Sequence, residues 1–186
     1  MTVRITKPEF NLREKLTELD YSQVPYEKMP AGSVVQVAFN SVYGNAVSTT
    51  SASFQNSGLF VDIRPRFTSS KIIVTASIDA QTGNAAGKGI EYTFFRNIDA
   101  DATSSSPSVN LLDSASNKNY ISYSSAAGYI HERAIMMAED NPNTIKRVQY
   151  RVFFHSHAGG TAGIHRDWGG VMIKAEEIRQ WDLNLI

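Results

Sequence analysis

The sequence predicts an all-β protein: an antiparallel β-sandwich of jelly-roll-like kind, preceded by a short N-terminal helix and an extended arm. Three observations predict it. From Gly32 onward, apolar residues recur with a period of two, most cleanly where Ile72, Val74, Ala76 and Ile78 alternate with Ile73, Thr75, Ser77 and Asp79. Turn-forming clusters separate such segments at the intervals expected of a sandwich, giving roughly eight to ten strands. No helical pattern lies between them, which argues against a parallel βαβ architecture.

The helical period occurs once, ahead of the strands. Thr2 to Thr6 alternate polar and apolar residues and fit an edge strand closed by Pro8. Asn11 then stands as an N-cap with Glu14 three residues on, the capping-box spacing with Asn in the Ser/Thr position. Leu12, Leu16 and Leu19 line one face of a helix over about 10–20, with Phe10 at its start. A helix of this length is marginal alone in water, so Phe10, Leu12, Leu16 and Leu19 are candidate contacts with the chain's own domain, a sister chain or another protein. Pro25 and Pro30 keep Tyr21 to Ala31 extended. This semi-rigid linker separates the stripe from the core and favours an intermolecular partner. Residues 1–31 therefore read as an attachment arm and 32–186 as the sandwich domain.

Within that domain, Ser33 to Phe39 reads as a strand and Val42 to Thr50 as a weaker strand or hairpin arm. Asn56-Ser57-Gly58 is a turn signal. Leu59, Val61 and Ile63 alternate with Phe60, Asp62 and Arg64 in a strand ended by Pro65. Lys71 to Asp79 follows, then a loop over Thr82 to Gly89 and an aromatic strand over Ile90 to Arg96. Asn97 to Ser108 is polar and Ser-rich, a long exposed excursion. Val109 to Leu112 and Tyr120 to Tyr123 are short strand candidates. Tyr129 to Ala138 and Ile145 to Ser156 read as long strands joined by Glu139-Asp140-Asn141-Pro142-Asn143, an antiparallel hairpin. In its second arm Val148, Tyr150, Val152 and Phe154 share one face and Gln149, Arg151, Phe153 and His155 the other. A glycine-rich loop over Ala158 to Gly163 leads to a last strand, Val171 to Ile178.

Composition narrows the function classes. The 186 residues suit one domain plus a tail, and an apolar fraction of 42% supports a packed core. Eighteen basic and eighteen acidic residues give zero net charge, which argues against a nucleic-acid binder and against electrostatic attachment to a membrane. No apolar run is long enough to span a bilayer, so no membrane insertion is expected. There is no cysteine, hence no disulfide, zinc–thiolate site or thiol nucleophile. The N-terminus lacks the apolar region of a secretory signal, so synthesis and folding in the cytoplasm are the expectation.

No catalytic motif stands out, and no enzymatic activity or cofactor is expected. His155-Ser156-His157 places two imidazoles on one side of a strand. With His165 these resemble part of a cupin metal site, although the following Gly159-Gly160-Thr161-Ala162 lacks the Glu that site needs. A His-x-His at a three-fold axis would instead offer six imidazoles to one ion, and the third reading is two polar residues ending a strand. Glu91, Glu132, Asp167 and Asp182 are scattered carboxylates; a glycosidase needs two that converge. His131, Glu132 and Arg133 read as a polar, outward or subunit-facing run. The Gly83 to Gly89 loop lacks the Lys-Ser/Thr of a P-loop, and no Gly-x-Ser-x-Gly elbow is present. Tyr120, Tyr123 and Tyr129, beside a Ser-rich segment, have the composition of an adaptable receptor- or glycan-contacting surface.

Two blocks carry a resemblance. Lys7-Pro8-Glu9-Phe10-Asn11-Leu12-Arg13-Glu14-Lys15-Leu16, continuing to Met29-Pro30-Ala31-Gly32-Ser33-Val34-Val35-Gln36-Val37, is similar to the start of a family of tail-fibre-like virion structural proteins of tailed phages, common in marine and cyanobacterial phages. Thr49-Thr50-Ser51-Ala52-Ser53-Phe54, Gly58-Leu59, Ile63-Arg64-Pro65 and Ser69-Ser70-Lys71-Ile72 match that family's second shared region. Gly163 to Asp167 and Gly170 to Glu177 resemble its closing strands more loosely, and Gly83 to Asn143 departs freely, so about half of the chain takes part. The resemblance implies a trimeric jelly-roll knob. It would be a homotrimer joined by its N-terminal segment to tail, baseplate or capsid proteins and localised to the virion, with a host surface glycan or protein as a further partner.

Overall fold

The structure, a computed structural model, describes residues 29–83, 85–112, 120–123, 128–165 and 170–180, with the side chains of 120–123 and 165 outside that description. The expected helix over 10–20 and its stripe of Phe10, Leu12, Leu16 and Leu19 lie outside the described residues, as does most of the arm. What is described is all-β, with two antiparallel sheets packed face to face.

The strands are β1 (Val34–Val42), β2 (Val47–Thr49), β3 (Gln55–Ile63), β4 (Lys71–Thr82), β5 (Gly89–Ile98), β6 (Val109–Asn110), β7 (Tyr120–Tyr123), β8 (Ile130–Asp140), β9 (Val148–His157), β10 (Ala162–His165) and β11 (Val171–Ile178). The six-stranded sheet is built around β4, the longest strand. One edge of β4 pairs with β11 and then β10; its other edge pairs with β8 along its whole length. β1 extends the sheet beyond β11, and β2 extends it beyond β10. The five-stranded sheet centres on β9 and β5, with β3 outside β9 and with β6 and β7 along the far edge of β5.

The core forms because alternation puts one apolar row of each strand between the sheets. Ile72, Val74, Ala76, Ile78, Ile173 and Met136 meet Leu59, Val61, Phe94, Tyr150, Val152 and Phe154 there, all essentially removed from solvent. Each large aliphatic or aromatic side chain so buried contributes about 1.5–3 kcal/mol. The predicted faces of Lys71 to Asp79 and of Ile145 to Ser156 hold residue for residue.

Two expectations are corrected. Glu139 to Asn143 does not close a hairpin: β8 pairs with β4 in one sheet, and β9 pairs with β3 and β5 in the other. The turn residues carry the chain across the sandwich, as the β2–β3, β3–β4, β4–β5, β7–β8 and β9–β10 connections also do. Asn56-Ser57-Gly58 is not a turn between strands but an irregularity inside β3, where the pairing with β9 shifts register. Gly58 takes a positive φ of 78° there and donates to Asn56 Oδ1 (2.8 Å), while Ser57 Oγ donates to the Val152 carbonyl (2.7 Å). A bulge of this kind uses the same residue types as a turn.

One corner ties the start of the domain to its last strand. Glu177 lies on the inner side of β11 and is fully buried. Its carboxylate accepts from Gln36 Nε2 (2.6 Å), Arg66 N (2.7 Å), Phe67 N (3.3 Å) and Ser70 Oγ (2.5 Å). A buried carboxylate is tolerable when its oxygens are satisfied in this way. Gly32 N donates to Arg179 O (2.8 Å), and the Arg179 guanidinium reaches the Met29 carbonyl and lies over the Phe67 ring.

The two glycine-rich loops pack on each other. A Cβ at Gly83 or Gly160 would stand 2.7 or 2.6 Å from Lys88 Cβ, so both positions need glycine for close approach. Lys88 Nζ donates to the Ala158 carbonyl, and Ser156 Oγ donates to Gly160 O (2.5 Å). The Gly83 to Gly89 loop thus serves packing between strand ends.

Candidate functional site

The sequence-selected residues fall in different places. His155 and His157 both point outward from β9, on the outer face of the five-stranded sheet, and the register sets His155 opposite Glu91 of β5. His155 Nε2 and His157 Nδ1 lie 3.3 and 3.4 Å from the same oxygen, Glu91 Oε2. His155 Nδ1 donates to the Ser156 carbonyl (2.9 Å), which fixes the ring so that Nε2 faces the carboxylate. The Phe54 ring meets the imidazole edge to face at 4.6 Å. Two imidazoles therefore share one carboxylate in a partly buried cross-strand cluster. Among the described residues no group of three His, Cys, Asp or Glu is placed to hold a metal ion.

The remaining candidates do not converge on that cluster. His131 and Arg133 lie on β8 in the other sheet, where His131 Nδ1 stands 3.7 Å from Asp79 and Arg133 Nη1 donates to the Gly170 carbonyl (2.7 Å). Glu132 is exposed on the same strand. Asp167 and Asp182 lie outside the described residues, as does the His165 side chain. Tyr129 is 53% exposed just before β8. Tyr120 and Tyr123 bound β7, which pairs with β5, and their side chains are not described.

The polar excursion after β5 is not free. Asp101 accepts from Arg147 Nη2 (2.5 Å) and Gln149 Nε2 (3.1 Å), and Ala102 N donates to Gln149 Oε1 (2.9 Å). Ala102 is buried against Phe95 and Phe153, which stack edge to face at 5.1 Å and are flanked by Phe54. The loop therefore covers the Phe95–Phe153 patch on the outer face of the five-stranded sheet. Hydrogen bonding from Arg147 holds the Asp101 carboxyl below its ordinary value. At the sandwich edge Tyr150 Oη donates to Asp140 Oδ2 (2.8 Å), with Arg96 3.6 Å from the same oxygen. Burial pushes the Asp140 carboxyl up, against the pull of Arg96 and of the Tyr150 hydroxyl, and pushes the Tyr150 hydroxyl up as well.

The surface that residue-by-residue reading missed is the outer face of the six-stranded sheet. Val37 and Phe39 of β1, Met172 of β11, and Ile135 and Met137 of β8 all stand exposed on it. Register aligns them in adjacent rows: Phe39, Lys174, Thr75 and Met137 form one, and Ser41, Met172, Ser77 and Ile135 the next. Tyr43 lies with its ring against Gly170, where a Cβ would collide at 2.7 Å. The signal was present in Ala134-Ile135-Met136-Met137-Ala138, an unbroken apolar run that reads as a strand buried on both faces. In the fold β8 pairs with β4, and the larger side chains Ile135 and Met137 turn outward.

No protein-family model matches this chain, and no curated protein matches it.

Proposed function

We propose that this chain is a non-enzymatic structural subunit of a tailed-phage particle, of tail-fibre, spike or capsid-decoration type. Its sandwich would be the exposed body and its N-terminal arm the part that joins the particle. The observation that carries the reading is the outer face of the six-stranded sheet: apolar side chains in register on a rigid, well-packed sheet are suited to contact with another protein surface. The arm motif over Lys7 to Val37 supplies the phage-particle part of the reading. Two other stretches that resemble the phage family do structural work in this fold. Thr49 to Phe54 carries the chain from β2 to β3, with Ser51 O accepting from Ser156 N (2.9 Å), and Ser70 satisfies Glu177. A test is to complement a phage carrying the gene with a chain lacking residues 1–20. The expected result is a folded protein absent from purified particles; normal incorporation of the shortened chain would overturn the reading.

A second reading, a receptor- or glycan-binding tip, is favoured by one observation. A groove lined by Arg96, Asn97, Ile98, Pro107 and Val109 lies beside β6. A glycan array probed with the full chain tests it, and absence of binding to host surface sugars would count against it.

A further inference from the structure

We infer that the groove beside β6 is a binding site for an acidic sugar, with the Arg96 guanidinium as the group that receives its carboxylate. The inference rests on the receptor- or glycan-binding reading and narrows it to one class of sugar and one anchoring residue.

The first observation is an arginine whose donors are unanswered. The Arg96 side chain is only 15% exposed, yet among the described residues its guanidinium makes no hydrogen bond, and Nε is enclosed without an acceptor. Its ion-pair partner there is Asp140, whose Oδ2 lies 3.6 Å from Nε. That oxygen already accepts from the Tyr150 hydroxyl (2.8 Å). Burial pushes the Asp140 carboxyl up, which disfavours the negative charge that would answer Arg96 from within the chain. A guanidinium presents its N–H donors in a planar fork, and donors left unpaired away from water cost free energy. A carboxylate matches that fork with two oxygens at once, the pairing to which arginine is best suited.

The second observation is what surrounds the cation. Register sets Val109 of β6 opposite Arg96, and Ile98 lies two residues further along β5, so all three share one side of the sheet. With Pro107 they give the groove apolar walls around a single positive group. Its volume is about 270 Å³, just below the roughly 300–1,000 Å³ of pockets for drug-sized ligands, so it suits one ring. A sugar ring has an apolar C–H face for Ile98, Pro107 and Val109, and a carboxylate on that ring completes Arg96. A neutral sugar leaves Arg96 unanswered, and a bare anion leaves the apolar walls uncovered.

The third observation is that the walls are held in place. Asn97 Nδ2 donates to the Asp101 carbonyl (3.2 Å), Thr103 N to Ser108 Oγ (2.9 Å) and Ser108 N to the Ser105 carbonyl (3.0 Å). Val109 and Asn110 then pair with Arg96 and Phe95. The segment that carries Pro107 is therefore tied at both ends to β5. A groove already formed in this way loses little freedom when a ligand enters.

The test uses the full chain and NMR titration with glucuronic, galacturonic and N-acetylneuraminic acids at millimolar concentration, beside glucose, galactose and acetate. The expected result is saturable binding of at least one acidic sugar, with amide shifts centred on 96–98 and 107–109, and much weaker binding of the neutral sugars and of acetate. Arg96→Met should weaken the acidic sugar at least about tenfold, the loss expected for one charge-assisted hydrogen bond. Arg96 also packs beside Tyr150, so Val109→Glu provides the second variant. Val109 is 44% exposed, and a carboxylate there repels the ligand without disturbing the core. Circular dichroism and the unfolding midpoint check that both variants fold, and Val109→Glu decides if Arg96→Met does not. Absence of binding by any of the acidic sugars overturns the inference, and so does binding that both folded variants retain. Acetate binding as tightly as the acidic sugars overturns the sugar as occupant. Neutral sugars binding as tightly overturn the inference and leave the glycan-binding reading standing, whereas absence of binding by every sugar, here and on the glycan array, removes both.

Discussion

The two outer faces of the sandwich present the same chemistry in opposite states. On the five-stranded sheet, Phe95 and Phe153 turn outward and are then enclosed by Phe54, Ala102 and the excursion after β5, leaving Phe153 only 4% exposed. On the six-stranded sheet, Phe39 also turns outward, in register with Lys174, and is 60% exposed. Local sequence does not distinguish them, since each is an aromatic residue in an alternating strand. The difference lies in what the connections do. The loop between β5 and β6 folds back over its own sheet, and Asp101 and Ala102 fasten it to Arg147 and Gln149. No comparable described segment is fastened over β1, β11 and β8. Among the described residues, one face is covered by the chain's own loop and the other keeps its apolar side chains exposed.

The sharpest way to break that comparison is to make the same change on both faces. Phe153→Ala removes a ring enclosed by Phe95 and Ala102 and is expected to lower stability by about 3–5 kcal/mol in urea unfolding, the usual cost of deleting a buried aromatic side chain. A loss below ~1 kcal/mol would mean that the loop does not seal this patch. Ala102→Asp attacks the cover itself. It places a carboxylate against two phenyl rings, and a loss of about 2–3 kcal/mol is expected from burial of an unpaired polar group or from lifting of the loop. Binding of a hydrophobic dye distinguishes these outcomes, because only a lifted loop exposes Phe95 and Phe153.

Much of the layer shared by both faces was legible in the sequence. Period-two alternation assigned Ile72, Val74, Ala76 and Ile78, and Val148, Tyr150, Val152 and Phe154, to the core because side-chain direction along a strand is a local property. Pairing partners are not local. Glu139 to Asn143 has the composition of a hairpin turn, yet the chain crosses the sandwich there, and nothing within five residues can show which strand lies alongside. The same limit explains Glu177, which reads as a surface charge and is buried because Gln36, Arg66, Phe67 and Ser70, distant in sequence, converge on it. For the candidate sites, spacing did put His155 and His157 on one side of β9, but Glu91 as their shared partner depended on the register of β5. The exposed face of the six-stranded sheet was hidden for a related reason. Apolar residues on both sides of β8 read as a strand buried on both faces, and only the register with β4 shows that Ile135 and Met137 turn outward.

A smaller effect sharpens how the cover is held. Asp101 is depressed chiefly by its hydrogen bond from Arg147, with further pull from Arg151 and Gln149. A carboxyl depressed on folding contributes stability that is present above its unfolded pKa and is lost as pH falls through its folded value. Acidification should therefore loosen residues 99–108 before the sheets unfold, seen as faster amide exchange or proteolysis in that loop. Asp101→Asn should remove this acid step and leave the loop equally loose at neutral pH. Global unfolding is a poorer reporter, because Asp140 is shifted the other way and its contribution falls as pH rises through its raised value.

The smallest expected effect carries the other half of the comparison. Phe39→Ala removes a ring that stands mostly in solvent, so in dilute solution its unfolding free energy should match wild type within about 0.5 kcal/mol. The ring contributes little to a single chain because little of it leaves water when that chain folds. If Phe39→Ala behaves like Phe153→Ala, with a large loss, then Phe39 is covered within its own chain and the two faces are alike.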